Sequence, residues 1–311
     1  MINRALELRQ LFLRGELDKH EYSRRMSERH ATLNEHVALL AGSNIAAIEL
    51  SADGVVFVSQ LGGARFPCDP TDRGTPPVVS LDFGGYEVKD FTMLLALVPA
   101  SGTFVDVGAN IGWYSVHIAL ADPSARVLAI EPIPSSFRWL EAAVGRNGLR
   151  NVTTLNVAVA AEPGEVVLYV DAAISGAASS APSTGPVGLD RVSCPAVTLD
   201  DVVTRFGGAV HVLKLDIEGA ELFALRGAGS VLTKQRPLVF CEMLRKLTRP
   251  FGYHPNEIIA LMRTRDYDCY RAEETRLVPF HAMDDETTET NFYFLHRDAH
   301  RAESARWVTP G

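Results

Sequence analysis

Hydrophobic positions along the chain change their period several times, and each change marks an element. Ile2, Leu6, Leu8, Leu11 and Leu13 form an apolar face that ends at Gly15. Asp18 followed by Glu21 resembles a capping box with Asp in the cap. Tyr22, Met26, Leu33, Val37 and Leu40 then recur at helical spacing. The pattern predicts a helical hairpin over residues 1–43. From Ile45 the period falls to two: IAAIEL and VVFVSQ flank a turn at Ala52-Asp53-Gly54, which predicts a β-hairpin. CDPTDRGTPP (68–77) reads as a turn-rich connector, and a helix is expected from about Glu87 to Val98.

Beyond residue 100 strand and helix alternate. Seven segments read as strands: TFVDV (103–107), RVLAIE (126–131), VTTLNV (152–157), HVLKLD (211–216), PLVFCE (237–242), YDCYRA (267–272) and NFYFLH (291–296). Helical patterns such as WYSVHIALA, SFRWLEAAVGRN and PNEIIALMRT separate most of them. Strands without hydrophobic alternation, joined by helices, form a largely parallel sheet covered on both faces. The expected fold class is therefore α/β with a seven-stranded Rossmann-like sheet. Three parts follow: a hairpin for oligomerisation or docking (1–43), a β-hairpin with a lead-in helix (44–92), and the main domain (93–311). An apolar stripe shows only that something covers it, so packing on its own main domain is the competing reading for the hairpin. GAASSAPSTGPVG (176–188) has no periodicity and reads as a loop, with a lid or a plain surface connection both open for 171–190.

Composition narrows the function. The 311 residues carry a net charge of −8, which argues against a nucleic-acid partner tracked through its phosphates. Four cysteines (68, 194, 241 and 269) lie singly, without zinc spacing. The N-terminal MINRALELRQ has no apolar signal core, and no apolar run reaches the ~18 residues of a membrane span. A reducing cytoplasm and no membrane span are expected.

The chemistry concentrates in TFVDVGANIGWYSV (103–116). A strand ends at Asp106-Val107, turns at Gly108 and enters a helix near Gly112, the place where open α/β sheets bind ligands. A dinucleotide fingerprint needs G-x-G-x-x-G, but Asn110 stands at its central glycine and only G-x-x-x-G remains. Asp106 puts a carboxylate at the strand end, which suits a cationic amino-acid end better than a diphosphate. Glu131 closes the second strand, where a carboxylate bonds ribose hydroxyls. Together these favour S-adenosylmethionine (SAM) over a nicotinamide dinucleotide.

DVGANIGWYS (106–115), IEP (130–132), VTLDDVV (197–203) and LKLDIEGAE (213–221), with FGGYE (83–87) and FCE (240–242), resemble the FkbM-type SAM-dependent methyltransferases. The resemblance runs from about Tyr86 to Phe294 and does not reach the N-terminal hairpin. It implies a class I methyltransferase fold and methyl transfer, most often to a hydroxyl on a small molecule or sugar, as in natural-product or glycan tailoring. By position in its motifs, Asp106, Gly108, Ala109, Asn110, Gly112 and Tyr114 would line the methionine end. Glu131 and Pro132 would meet the ribose, and Asn156 would lie near the adenine.

LKLDIEGAE is the candidate for the reaction. Asp216 ends the fourth strand and Glu218 is expected at the start of a helix. Both carboxylates lie beyond the sheet edge, where one accepts the proton of an attacking hydroxyl. Capping of that helix is the alternative role for Glu218. Glu221 reads as a helix-surface residue, and Lys214 as a strand residue paired with one of the acids. Glu242 ends the fifth strand as a third candidate acid. Asp216, Glu218 and Glu242 follow no recognised metal spacing, and no metal is expected. His254 and His281 fall in predicted loops and nothing selects either as a base; RKLTR (245–249) offers cations to an anionic substrate or to solvent. N-methylation of an amino sugar and a non-catalytic SAM-binding or assembly role remain alternatives.

Overall fold

The computed structural model describes residues 4–170, 178–179 and 190–309. The chain begins with α1 (Arg4–Leu13) and α2 (Lys19–Ala41). Asp18 caps α2, its carboxylate accepting the Glu21 N–H at 2.9 Å. Phe12 stacks on Tyr22 at 4.6 Å and ties the two helices together. No residue of α2 is buried. A three-stranded antiparallel sheet follows, β1 (Ile45–Ser51), β2 (Gly54–Ser59) and β3 (Arg65–Pro67). Next come α3 (Pro76–Phe83), which the sequence reading did not anticipate, and α4 (Val88–Leu97). Pro76 and Pro77 look like a turn in sequence, yet they occupy the first turn of α3, where a missing N–H costs nothing.

The main body runs β4 (Thr103–Val107), α5 (Trp113–Ala121), β5 (Arg126–Ile130), α6 (Pro134–Arg146), β6 (Val152–Leu155), β7 (Ala158–Val159), β8 (Gly164–Val170), β9 (Ala178–Ser179) and β10 (Asp190–Val197). It continues with α7 (Leu199–Phe206), β11 (Val212–Leu215), α8 (Glu221–Arg226), β12 (Leu238–Glu242), α9 (Arg245–Thr248) and α10 (Asn256–Arg263). The last elements are β13 (Tyr267–Glu273), β14 (Arg276–Pro279), β15 (Asn291–His296) and α11 (Arg301–Trp307). The large sheet is mixed and has eight strands in the order β14-β13-β15-β12-β11-β4-β5-β6. All seven expected segments contribute to it. The eighth strand, β14, pairs with β13 across a tight turn at Glu274 (φ 51°) and is too short to show a period. A second, four-stranded sheet has the order β7-β10-β8-β9. The loop expected over 176–188 lies outside the described residues except for β9. No helix among the described residues is long and apolar enough to cross a membrane.

Strands β6, β5, β4, β11 and β12 are parallel, and β15 is antiparallel to both its neighbours. The chain winds outward from β4 through β5 to β6, then returns to β11 on the other side. The connections therefore diverge between β4 and β11, and that crevice faces the carboxyl ends of the strands. Two apolar layers hold the sheet. One packs Val105, Val107, Leu213 and Leu215 against α7, α8 and α10. The other packs Phe104, Val212, Phe240 and Tyr293 with Phe57 and Phe66 of the small sheet and Leu94 of α4, so one continuous core joins the lead-in to the main body.

Gly108 closes the crevice. Its φ is 79°, and a Cβ there would lie 1.7 Å from the Asp216 carbonyl oxygen. The glycine answers first to the approach of another strand's backbone, and only second to a ligand. Gly108→Ala should therefore lower folding stability by at least ~2 kcal/mol, read as an earlier midpoint in urea.

Candidate active site

At the carboxyl ends of the strands lies a cavity of about 500 Å³. Of the residues singled out in the sequence, Gly108, Ala109, Asn110, Tyr114, Glu131, Pro132, Asp216, Glu218 and Glu242 line it. Asp106, Gly112 and Asn156 do not.

Asp106 lies beneath the cavity floor, fully buried. Strand register sets it beside Lys214, and both point to the α5 face because their neighbours Val105, Val107, Leu213 and Leu215 fill the other. The Lys214 ammonium stands 3.2 Å from Asp106 Oδ1 and 3.2 Å from Asp216 Oδ2, and it donates to the Gly108 carbonyl at 3.3 Å. Its fourth neighbour is the Tyr114 ring, 5.0 Å away. Burial opposes the charged lysine, but the charges of Asp106, Asp216 and Glu87 outweigh it and hold the ammonium above its usual range. The Ser115 hydroxyl donates to Asp106 Oδ2 at 2.7 Å. The expected contact of Asp106 with a methionine end is replaced by this buried pairing.

Gly112 is the N-cap of α5 with φ 90°, packed beneath Leu140. Asn156 faces away from the cavity. Its amide donates to the carbonyls of Glu131 and Pro132 at 2.8 and 3.0 Å, fixing the turn after β5. Glu131 is aimed by the backbone: Oε2 accepts the Asn110 N–H and Oε1 the Ile133 N–H, each at 2.8 Å. Burial pushes its carboxyl up to about 7.

The other acids differ from their sequence readings. Helix α8 starts at Glu221, so Glu218 precedes it and makes no cap; it sits in a turn at φ 57°. Burial, then the charges of Asp216 and Glu221, push Glu218 up to about 8. Glu221 is buried rather than on the helix surface, and its Oε1 accepts the N–H of Ile217 at 2.9 Å and of Gly219 at 3.2 Å. An acid in the first helical turn here reaches back to the amides of the turn that leads into the helix. Burial raises Glu221 to about 7. Glu242 is held well above the carboxylate range by burial, then by Asp216, Glu218, Glu221 and Glu87. Among the described residues no group of His, Cys, Asp and Glu is arranged to hold a metal ion.

Glu87 stands in sequence at the end of FGGYE and the expected start of a helix, with no role at the site assigned to it. The Tyr114 hydroxyl donates to it at 2.6 Å and the Asn291 amide at 2.9 Å, which links the lead-in to the rim of the main sheet. Its backbone is left-handed (φ 44°), as are those of Asn110 (φ 50°) and Glu218 (φ 57°). Asn110 and Glu218 line the cavity and Glu87 holds its lining residue Tyr114, so left-handed non-glycine backbone here marks a place where folding strain is retained for position. No local pattern predicts Glu87, because its partners are 27 and 204 residues away. His254 and His281 lie outside the lining. Arg245 of RKLTR pairs with Asp285 at 2.6 Å.

Lys214→Met would leave Asp106 buried without its counter-charge. A loss of about 3–5 kcal/mol in unfolding free energy is expected, partly recovered by adding Asp106→Asn. The acids give a second expectation. Glu131, Glu218 and Glu221 bind protons more readily folded than unfolded, at about 7, 8 and 7 against 4.5. Stability is then greatest near the unfolded value and falls as pH rises from 4.5 to about 8. A thermal-melting series should show that decline, with Glu218→Gln flattening its upper part.

The sequence profile of the methyltransferase FkbM domain matches residues 106–269, just over half of the chain. The chain is 27% identical over 225 residues to the AMB antimetabolite synthetase AmbE of Pseudomonas aeruginosa, covering 56% of this chain but only 10% of that protein. It is 26% identical over 213 residues to the methyltransferase sdnD of Sordaria araneosa, covering 57% of this chain and 78% of that one. Among solved structures, the methyltransferase FkbM of Methylobacillus flagellatus aligns with 64% of this chain and 44% of its own, at 18% identity and a TM-score of 0.43. The chain belongs to the FkbM methyltransferase family.

Proposed function

We propose that the protein transfers a methyl group from SAM to a hydroxyl on a small molecule or sugar. One observation carries the choice of cofactor. Among the described residues five carboxyl groups line the cavity, those of Glu131, Glu162, Asp216, Glu218 and Glu242, against the single ammonium of Lys214. Such a lining repels a pyrophosphate and favours a sulfonium.

The residues fit the group in three further respects. Glu131 spends one lone pair on each oxygen to hold backbone amides, and its remaining acceptor capacity suits ribose hydroxyls. Beside it Ile133, Val157, Val166 and Leu168 line an apolar slot suited to a base. Asn110 Oδ1 is buried without a partner, an acceptor available to a bound ammonium.

When bound, SAM supplies a methyl group on a positively charged sulfur that leaves as a neutral thioether. The chain's own part is to orient and to move one proton. Asp216, fixed by Lys214 at 3.2 Å, and Glu218 beside it face the place where an acceptor enters. One of these carboxylates would take the acceptor's hydroxyl proton as the methyl group is transferred. Orientation contributes up to ~7–11 kcal/mol and proton transfer ~10²–10⁴-fold in rate.

Calorimetry with S-adenosylhomocysteine, and with NAD as control, tests the reading. Binding of the first alone is expected; binding of NAD, or of neither, would sink it. Glu131→Ala should weaken S-adenosylhomocysteine by about tenfold or more, as expected for one charge-assisted hydrogen-bonding group. Asp216→Asn and Glu218→Gln should instead slow turnover by about 10²-fold or more while the cofactor still binds.

A further inference from the structure

We infer that the methyl acceptor carries a protonated amine, held by Glu218 and Glu242 beside the hydroxyl that reacts. This rests on the cofactor reading above and adds the class of substrate, an amino alcohol.

The geometry starts at the sheet edge. Leu215 and Cys241 are the last paired residues of β11 and β12, so Asp216 and Glu242 emerge side by side. Glu218 follows two residues on, and all three line the cavity. The one ammonium in the lining is fully committed. Lys214 has three N–H groups and three oxygens around it: Asp106, Asp216 and the Gly108 carbonyl. Nothing is left for the other two acids. Among the described residues the carboxylates of Glu218 and Glu242 form no hydrogen bond and no ion pair. Lys246 on α9 acts on Glu218 only at a distance.

The charges can be assigned in turn. Asp106, Asp216 and Lys214 together leave one negative charge, and the cofactor's sulfonium, ammonium and carboxylate leave one positive charge. These offset each other. Glu131 is held by two backbone amides and Glu162 is exposed to solvent; Glu218 and Glu242 remain, facing Asp216 across a half-buried rim, and with a neutral acceptor they escape mutual repulsion only by staying protonated. An ammonium removes it through charge-assisted hydrogen bonds. The walls suit the same ligand, since Phe223 and Phe251, 5.8 Å apart, and Tyr86 present aromatic faces to the cavity. The raised proton affinity of both acids is a consequence of this arrangement: each keeps a proton until a cation replaces it.

The test uses the whole protein saturated with S-adenosylhomocysteine and titrated with phenylethanolamine or its N-acetyl derivative. The two probes share the hydroxyl and the ring and differ in charge. The amine should bind about tenfold tighter or more, and Glu218→Gln and Glu242→Gln should each erase that preference. Equal behaviour of the two probes, including binding of neither, would overturn the inference, as would a preference that survives in both variants. A wild-type chain that does not take up S-adenosylhomocysteine would fail at the earlier step, and the cofactor reading would fall with it.

Discussion

The buried ammonium of Lys214 joins the two halves of the doubly wound sheet. Asp106 comes from β4 and Asp216 from the end of β11, and one cation between them lets two acids approach at the topological switch point. Taking such charges out of water costs several kcal/mol each, which only close pairing repays. The ammonium also donates to the Gly108 carbonyl, and the glycine itself is forced by the Asp216 backbone. Strand register, turn geometry and site electrostatics are therefore one constraint at this point.

Around that centre, charges are placed by backbone rather than by one another. Glu131 is aimed by the amides of Asn110 and Ile133, and Glu221 by those of Ile217 and Gly219. These two acids fix the turns after β5 and β11. Asp216, Glu218 and Glu242 line the cavity beyond them, Asp216 paired with Lys214 and the other two held toward their protonated forms by burial and neighbouring charge.

The lead-in belongs to the site as well as to the core. Glu87 receives the Tyr114 hydroxyl while Tyr114 stacks beside Lys214, so a residue outside the family match reaches the central cation through one side chain. The N-terminal hairpin is different. No residue of its longer helix is fully buried in the described chain; Leu40 packs partly buried on the core, while Leu33 and Val37 remain exposed.

Local pattern determined much of this protein. Short continuous apolar runs placed the strands TFVDV, HVLKLD and NFYFLH, and a helical period with its capping signal placed α2 and the cap at Asp18, because those signals depend on neighbours within a turn or a pleat. The spacing of Asp106, Gly108, Asn110 and Gly112 likewise marked the crevice, and Asp216 marked its far wall. Tertiary structure decided what each group does there. Asp106 is a buried partner of Lys214, since strand register sets two distant segments side by side. Asn156 holds a turn, Glu221 is buried, Glu218 precedes its helix, and Glu87 enters from more than a hundred residues before its Lys214 and Asn291 neighbours. Burial and pairing across the sheet are sums over contacts remote in sequence, and no window along the chain contains them.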